Sequence, residues 1–487
     1  VASETELKLL IQEADQQRLE QLMNRLSATF EGSKRLENTY FDTPDLQLNQ
    51  ARIALRLRFT GQGWLQTLKT SGQKLGALSQ RGEWEMPVAD AQLQPELLPQ
   101  GVLKPEWIDQ LQPLFTTHFT RRTWLLKGKD EPADGGSSQP WAIEVAADLG
   151  EVALPQRHAK EAAKDSISEL ELELKAGDPQ HLFDLAHQLA NELVLHPGLA
   201  SKAARGLRLL SSQPTNRKPS RKYPMPQLVQ AGVAVTFAEL NQLAQHQLNA
   251  WIECHESWAF NADEAELQEA QRCLLRLHAL LVMQQRLCPA AKLTPLRRGV
   301  KRLLQAFQPL VEGCWQDRAL QQLPLDHLPD RTAADWRYQQ LAYAARRQQY
   351  RHCWHQPWVG QVALQLVESL WQNHHLQACA AADAPEKLLQ AACEHLRFPR
   401  QPMDAGVWLQ RYPALIRLQL LLQQVQPDNQ TDAARAETLR EGIETLNGYC
   451  HLLQRKDLPQ GLQQQLKRQQ QDLLLQLGRT AQALWTQ

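Results

Sequence analysis

Four stretches of this 487-residue sequence alternate charged and apolar residues with a period of two. Glu4-Thr5-Glu6-Leu7-Lys8-Leu9 sets Glu4, Glu6 and Lys8 in one phase. Residues 53–59 do the same for Arg56 and Arg58, with Arg52 in step. Glu144 and Asp148 share parity, and Glu169, Glu171 and Glu173 form a row with Lys175 in phase. Taken singly, such a strand is usually a solvated face. Taken together, the grouping by sign is not what solubility favours, and a row of like carboxylates repels itself unless cations sit among them. Carboxylates are hard oxygen ligands suited to Mg²⁺ or Mn²⁺. Clustered Arg and Lys suit phosphate oxygens, Arg with two bonds at once. The combination describes a metal–polyphosphate site. No G-x-x-x-x-G-K-[ST] loop and no G-x-S-x-G elbow is present, so side chains would have to hold the phosphates.

The other faces of these strands are apolar: Leu7 and Leu9; Ile53, Leu55, Leu57 and Phe59; Leu170, Leu172 and Leu174. Such faces must be covered. If helical stretches at 12–30, 105–114 and 178–195 cover them, the charged faces turn toward one another, and closing the sheet gives a barrel with a charged lumen. Turn signals at Gly61-Gln62-Gly63, at Ser71-Gly72-Gln73 and within 128–140 separate the strands.

Residues 213–226 hold four prolines and four basic residues and read as a linker between a domain at 1–212 and another at 227–487. The second half shows helical periodicity at 237–258, 264–288, 296–316, 332–354, 358–381, 405–426, 433–454 and 462–485, which predicts an all-α helical bundle. Charge divides the same way: 23 basic against 29 acidic residues in 1–212, and 30 against 24 in the remainder. This balance argues against a nucleic-acid binder. All eight cysteines lie in the second half without C-x-x-C spacing, which fits buried reduced thiols and a cytoplasmic protein. The opening residues do not read as a signal peptide, and no membrane span is expected. Arg297-Arg298 with Lys301-Arg302, and Arg346-Arg347 with Arg351, read as solvated basic helix faces. His352, His355, His374 and His375 read as surface or core histidines.

The charged strands fall in a longer ordered series. Glu4-Thr5-Glu6-Leu7-Lys8 is followed by Tyr40-Phe41-Asp42-Thr43-Pro44, Leu55-Arg56-Leu57-Arg58, Thr67-Leu68-Lys69 and Gln80-Arg81-Gly82-Glu83. Phe119-Thr120-Arg121-Arg122, Ile143-Glu144 with Asp148-Leu149-Gly150, Glu169-Leu170-Glu171-Leu172-Glu173 and Ser201-Lys202-Ala203-Ala204-Arg205-Gly206 complete it. Over residues 1–210 the chain resembles the CYTH superfamily, the triphosphate tunnel metalloenzymes. Within it the chain resembles bacterial two-domain members in which a CHAD domain follows.

The resemblance implies an α+β domain with a closed eight-stranded antiparallel β-barrel and a Mg²⁺- or Mn²⁺-dependent hydrolysis of inorganic triphosphate to phosphate and pyrophosphate. It implies metal ligation by Glu4, Glu6, Asp148, Glu169 and Glu171, and phosphate binding by Lys8, Arg56, Arg58, Lys69, Arg121, Lys202 and Arg205. Glu4, Glu6 and Lys8 carry the catalytic signature, and Glu83, Glu144, Glu173 and Arg81 stand at the margin of the set. Thiamine triphosphate or ATP as substrate in the same fold, and polyphosphate binding without catalysis, are the alternatives. The second half departs from the CHAD helix pattern H-x-x-R-V-x-x-R-R-x-R: His278, Val282 and Arg286 fit, while Leu281, Gln285 and Cys288 stand where arginines are expected.

Overall fold

A computed structural model describes residues 2–70, 73–75, 78–130, 139–155, 163–212, 223, 225–227, 235–322, 343–373, 389–390, 392, 396 and 403–485. They divide into two compact units. One is Val1–Lys222 together with Gln356–Glu368, the other Tyr223–His355 together with Ser369–Gln487. Most of the expected linker lies outside the described residues, as do His374 and His375.

The first unit is built on one antiparallel sheet of ten strands: β1 (Ala2–Ile11), β2 (Thr29–Asp42), β3 (Ile53–Phe59), β4 (Trp64–Thr70), β5 (Gln73–Leu75), β6 (Leu78–Val88), β7 (Gln112–Asp130), β8 (Gln139–Ala153), β9 (Lys164–Ala176) and β10 (Leu195–Pro197). The neighbour order is β10-β1-β9-β8-β7-β2-β3-β4-β6-β5, with a further pairing of β1 to β6. The sheet has ten strands where eight were expected, and the β1–β6 pairing joins eight of them, β1-β9-β8-β7-β2-β3-β4-β6, in a ring. The order has two ends, the three-residue strands β10 and β5, because β1 shares one edge between two partners. Residues 2–7 of β1 pair with β6, and residues 9–11 pair with β10. The opposite edge of β1 runs along β9.

Period-two alternation works here with both faces buried. Leu7, Leu9, Leu55, Leu57, Leu170 and Leu172 form the apolar side, while Glu6, Lys8, Arg56 and Glu169 on the other side are also buried. Helices cover the apolar side. These are α1 (Gln16–Arg25), the short α2 (Gln47–Gln50) and α3 (Pro105–Ile108), and α4 (Gln180–Ala190), whereas α5 (Lys202–Ser211) lies against the charged side. Leu19, Leu22 and Met23 of α1 and Leu182, Phe183 and Leu189 of α4 are buried. Leu48, Leu55, Leu68, Leu98 and Leu103 form a separate cluster under α2 and α3. The helix expected at 12–30 is shorter than its pattern, because β2 begins at Thr29.

Segment 356–368 belongs to this unit. Gln361 donates to the Ala190 carbonyl (2.9 Å), and Glu368 accepts from Gln180 (2.6 Å) and meets His187 Nε2 at 2.7 Å. A Cβ at Gly360 would collide with the Leu195 carbonyl, so only glycine permits this approach.

The second unit is helical. It holds α6 (Phe237–Asn261), α7 (Glu264–Leu287), α8 (Thr294–Gln322), α9 (Tyr343–Trp354), the end of α10 (Pro357–Gln372), α11 (Ala405–Val425), α12 (Gln430–Leu453) and α13 (Gln460–Trp485). Local signals set the starts. Thr236 and Glu239 form a capping box before α6, and Asp263, Asp404 and Asn429 cap α7, α11 and α12. Neighbouring helices pack in the order α6 on α7, α7 on α8, α8 on α12, and α12 on α11 and α13. Inside the bundle, Glu444 is fully buried and accepts from Arg440 (2.6 Å), Tyr412 (2.7 Å), Arg272 (3.1 Å) and Arg318 (3.2 Å).

Arg346 departs from the expected solvated face. It is buried and bonded to Asp317 and to Glu264 (2.6 Å), while Arg347 and Arg351 are exposed. His278 is half-buried, and its pKa is pushed down to about 4 by burial and by Lys301 and Arg297. Burial also raises the Cys314 thiol to about 12, as expected of an inert buried cysteine.

Candidate functional site

Strand register brings opposite charges face to face. Lys8 lies across from Glu171, Arg121 from Asp148, and Lys69 from Glu83. Asp148 and Glu169 are also direct neighbours, which puts two carboxylates side by side. Like charges at that spacing repel, and four cations answer them. Lys8 Nζ donates to Glu169 (3.1 Å) and Glu171 (3.0 Å). Arg121 grips Asp148 with two bonds of 2.8 and 2.7 Å and also reaches Glu171. Lys202 Nζ donates to Asp148 (2.6 Å), to Glu169 and to Glu171 (3.2 Å). Arg205 Nη1 stands 3.9 Å from Glu169.

Lys202 comes from the first turn of α5, capped by Ser201, whose hydroxyl accepts from the Ala204 amide. The helix can lie this close because residue 206 is glycine: a Cβ there would collide with the Phe115 ring of β7.

Beside this cluster opens a cavity of about 500 Å³. Its wall carries Lys8, Arg121, Glu171, Glu173 and Lys175 from β1, β7 and β9, Lys202 from α5, and Arg56, Arg58, Lys69, Glu83 and Glu85 from β3, β4 and β6. Seven of these side chains are basic and four are acidic. Lys69 pairs with Glu83 at 2.7 Å, and Arg56 stands 3.7 Å from Glu83. Arg58 is oriented by Asn38 (2.8 Å), itself buried and bonded to Thr117 (2.8 Å).

The protonation equilibria follow this crowding. Burial opposes the charge on Lys8, but Glu169, Glu171 and Glu6 outweigh it and raise the pKa. The same balance raises Lys202 and Arg121. Burial works against ionised Glu171, yet Lys202, Lys8 and Arg121 hold it well below the usual carboxylate range, and Lys202 and Arg121 do likewise for Asp148. Across the cavity the excess is positive. Arg58 is pushed down to about 10 by burial and by the charges of Arg56 and Arg121.

Oxygens of Asp148, Glu169 and Glu171 lie within 4.8 Å of one another, and Glu169 Oε2 is buried without a hydrogen-bond partner. This donor set of hard oxygens, with one atom left over, fits a divalent cation of the Mg²⁺ or Mn²⁺ kind.

The CYTH domain family model matches residues 2–207. Over 212 residues the chain is 33% identical to the inorganic triphosphatase of Haemophilus influenzae, an alignment covering 43% of this chain and 56% of that protein. The chain thus spans about half the length of this curated relative. Among solved structures it is similar to a Hippeastrum protein described as an adenylyl cyclase with a dominant triphosphatase activity (TM-score 0.30, 16% identity, 42% of this chain and 95% of that one). It is also similar to a Pyrococcus horikoshii OT3 protein (TM-score 0.23, 17% identity, 39% and 88%).

Within the matched region, Lys8, Arg56, Arg58, Lys69, Arg121, Lys202, Glu83, Glu171 and Glu173 line the cavity, and Asp148 and Glu169 are buried behind it. Glu6 is buried on β1, close enough to act on Lys8. Glu4 and Arg81 face each other in the β1–β6 pairing, but their side chains lie outside what the structure describes. Glu144 sits across from Glu173, 3.7 Å from Lys175. Arg205 turns mainly to Asp165 (2.9 and 3.1 Å).

Tyr40, Thr67 and Ser201 also line the cavity and were not among the expected site residues. Tyr40 is buried and stacks on Phe115 (ring centroids 4.8 Å apart). Burial would raise its pKa, but Arg56, Lys202 and Arg58 hold the phenol below its ordinary value. The sequence carried a signal, since Tyr40 opens Tyr40-Phe41-Asp42-Thr43-Pro44. The role of Asp42 there is structural: it is buried and accepts from the amides of Thr43 (2.7 Å), Leu48 (2.8 Å) and Asn49 (2.9 Å), which fixes the turn after β2.

Proposed function

We propose that the CYTH domain hydrolyses inorganic triphosphate to phosphate and pyrophosphate with Mg²⁺ or Mn²⁺, in a tunnel walled by the ring of strand pairings β1-β9-β8-β7-β2-β3-β4-β6. The observation that carries this reading is the surplus of cations on the cavity wall, seven basic against four acidic side chains, next to a buried carboxylate triad. The wall is short of negative charge, and the crowding at Arg58 is relieved by an anion. A short polyphosphate supplies that anion, and the name of the Haemophilus influenzae relative favours the inorganic chain over a nucleotide.

Arg56, Arg58 and Lys69 hold phosphate oxygens on one side, and Lys8, Arg121 and Lys202 on the other. Asp148, Glu169 and Glu171 hold the cation, with Glu6 and Glu4 completing its shell. A bound divalent cation polarises phosphate oxygens and lowers the pKa of a coordinated water. The protein's own share is positioning and preset charge, the main terms in phosphoryl transfer.

The test is phosphate release from inorganic triphosphate with Mg²⁺, run beside ATP, thiamine triphosphate and long-chain polyphosphate. Preference for the short inorganic chain, abolished by chelator, supports the reading. Turnover of none of them, with long polyphosphate still bound, replaces it with a non-catalytic binding role.

A further inference from the structure

The ammonium of Lys202 is bonded to all three members of the triad, at 2.6 Å from Asp148, 3.2 Å from Glu171, and to Glu169. It stands where a cation shared by three carboxylates would stand. Three ionised carboxylates whose oxygens lie within 4.8 Å are unstable in a buried site without a positive charge among them. Lys202 is placed to leave as well as to stay. It enters from the end of α5 and also lines the substrate cavity. Its charge is a point charge on a flexible stem, whereas Arg121 is fixed to Asp148 by two bonds and Lys8 belongs to a strand paired on both edges. Glu169 Oε2, buried without a hydrogen-bond partner and 3.9 Å from Arg205 Nη1, is an acceptor that the ammonium leaves unused.

We propose that Lys202 is a tethered stand-in for the divalent cation, neutralising Asp148, Glu169 and Glu171 while the metal is absent and exchanging into the cavity to hold a phosphate when it enters. This rests on the metal-dependent reading above and deepens it: the grip on substrate becomes conditional on the metal.

The experiment is a Mn²⁺ titration of the full chain without substrate, with free ion followed by electron paramagnetic resonance. Lys202→Met is expected to bind Mn²⁺ at least about tenfold more tightly than the parent, a change of the size seen when groups around a metal site are altered. Equal or weaker binding by Lys202→Met, with the parent binding the ion, overturns the exchange and leaves the metal reading standing. Failure of both proteins to bind Mn²⁺ removes the metal reading and this proposal together.

Lys202→Met uncovers buried carboxylates and can fail to fold, so the parent carries a second readout. Acetylation by acetic anhydride, mapped by mass spectrometry, is expected to spare Lys202 in chelator and to label it at saturating Mn²⁺, with Lys8 spared in both. Equal labelling of Lys202 in the two conditions overturns the exchange.

Discussion

At the residue scale, charge placement divides the work. Glu171 touches Lys8, Arg121 and Lys202 and lines the cavity, so Glu171→Gln removes a ligand charge where three cations converge. Turnover of triphosphate is expected to fall by at least about a hundredfold, the upper range for partners outside a metal's own ligands, with Mn²⁺ binding falling in parallel in a titration. Arg58→Ala deletes a phosphate partner and not a metal ligand. A lost charge-assisted contact costs about 2 kcal/mol, so KM should rise roughly thirtyfold while metal affinity stays unchanged. Tyr40→Phe keeps the stack on Phe115 and removes only the hydroxyl. A fall of about tenfold in kcat at unchanged melting temperature would place the phenol on the substrate. The site's charged residues were legible because strand alternation records which side chains share a face. Tyr40 was marked only by the ordered series it belongs to and not by alternation, because an aromatic in a half-apolar strand looks the same whether it faces a core or a cavity.

At the element scale, the legible strands were those with period-two alternation, β1, β3, β8 and β9. Strands β2 and β7 escaped. The first seven residues of β2 are largely exposed and follow no apolar period, and only its final stretch alternates. Cross-strand partners, not local pattern, make them strands. Helix α5 shows packing overruling propensity. Gly206→Ala would gain up to about 1 kcal/mol of helix propensity but forces a methyl into the Phe115 ring, at about 1–3 kcal/mol. Net destabilisation is expected in a denaturant melt, together with weaker triphosphate binding as Lys202 shifts.

In the helical unit, Glu269 of α7 bonds Arg272 and Arg276 at 2.7 Å each. Burial alone would raise its pKa, but the two arginines bring it from an ordinary 4.5 down to about 2. A depressed carboxyl stabilises the fold above its unfolded pKa, and that stabilisation is lost as pH falls through the folded value. It amounts to about 3 kcal/mol at most. The melting temperature should therefore drop between pH 4.5 and 2, and more shallowly in Glu269→Gln.

At the scale of the whole molecule, the two-domain division was visible as a change of period from two to 3.6 and a reversal of net charge. No membrane-crossing helix appears among the described residues: none is long and apolar enough. What composition could not show is that the first unit takes back residues 356–368 from the helical half. That return depends on one glycine, two side-chain amides and a carboxylate, none with a pattern of its own. A fragment ending at residue 222 should melt about 5 °C below the first unit in the full chain, the shift expected for the loss of roughly 2 kcal/mol. A peptide of residues 356–372 added in excess should restore part of it. Equal melting of fragment and full chain would show that the segment adds nothing.

That discontinuity also sets a schedule for the growing chain. Residues 223–355 must leave the ribosome after the sheet is complete and before the missing segment appears. At about 5–20 residues per second this interval lasts roughly 7 to 27 s. For that time the nascent first unit exposes His187 and the backbone carbonyls of Ala190 and Leu195, which Glu368, Gln361 and Gly360 later cover. The last contacts of the first unit are thus made only after much of the second has been synthesised.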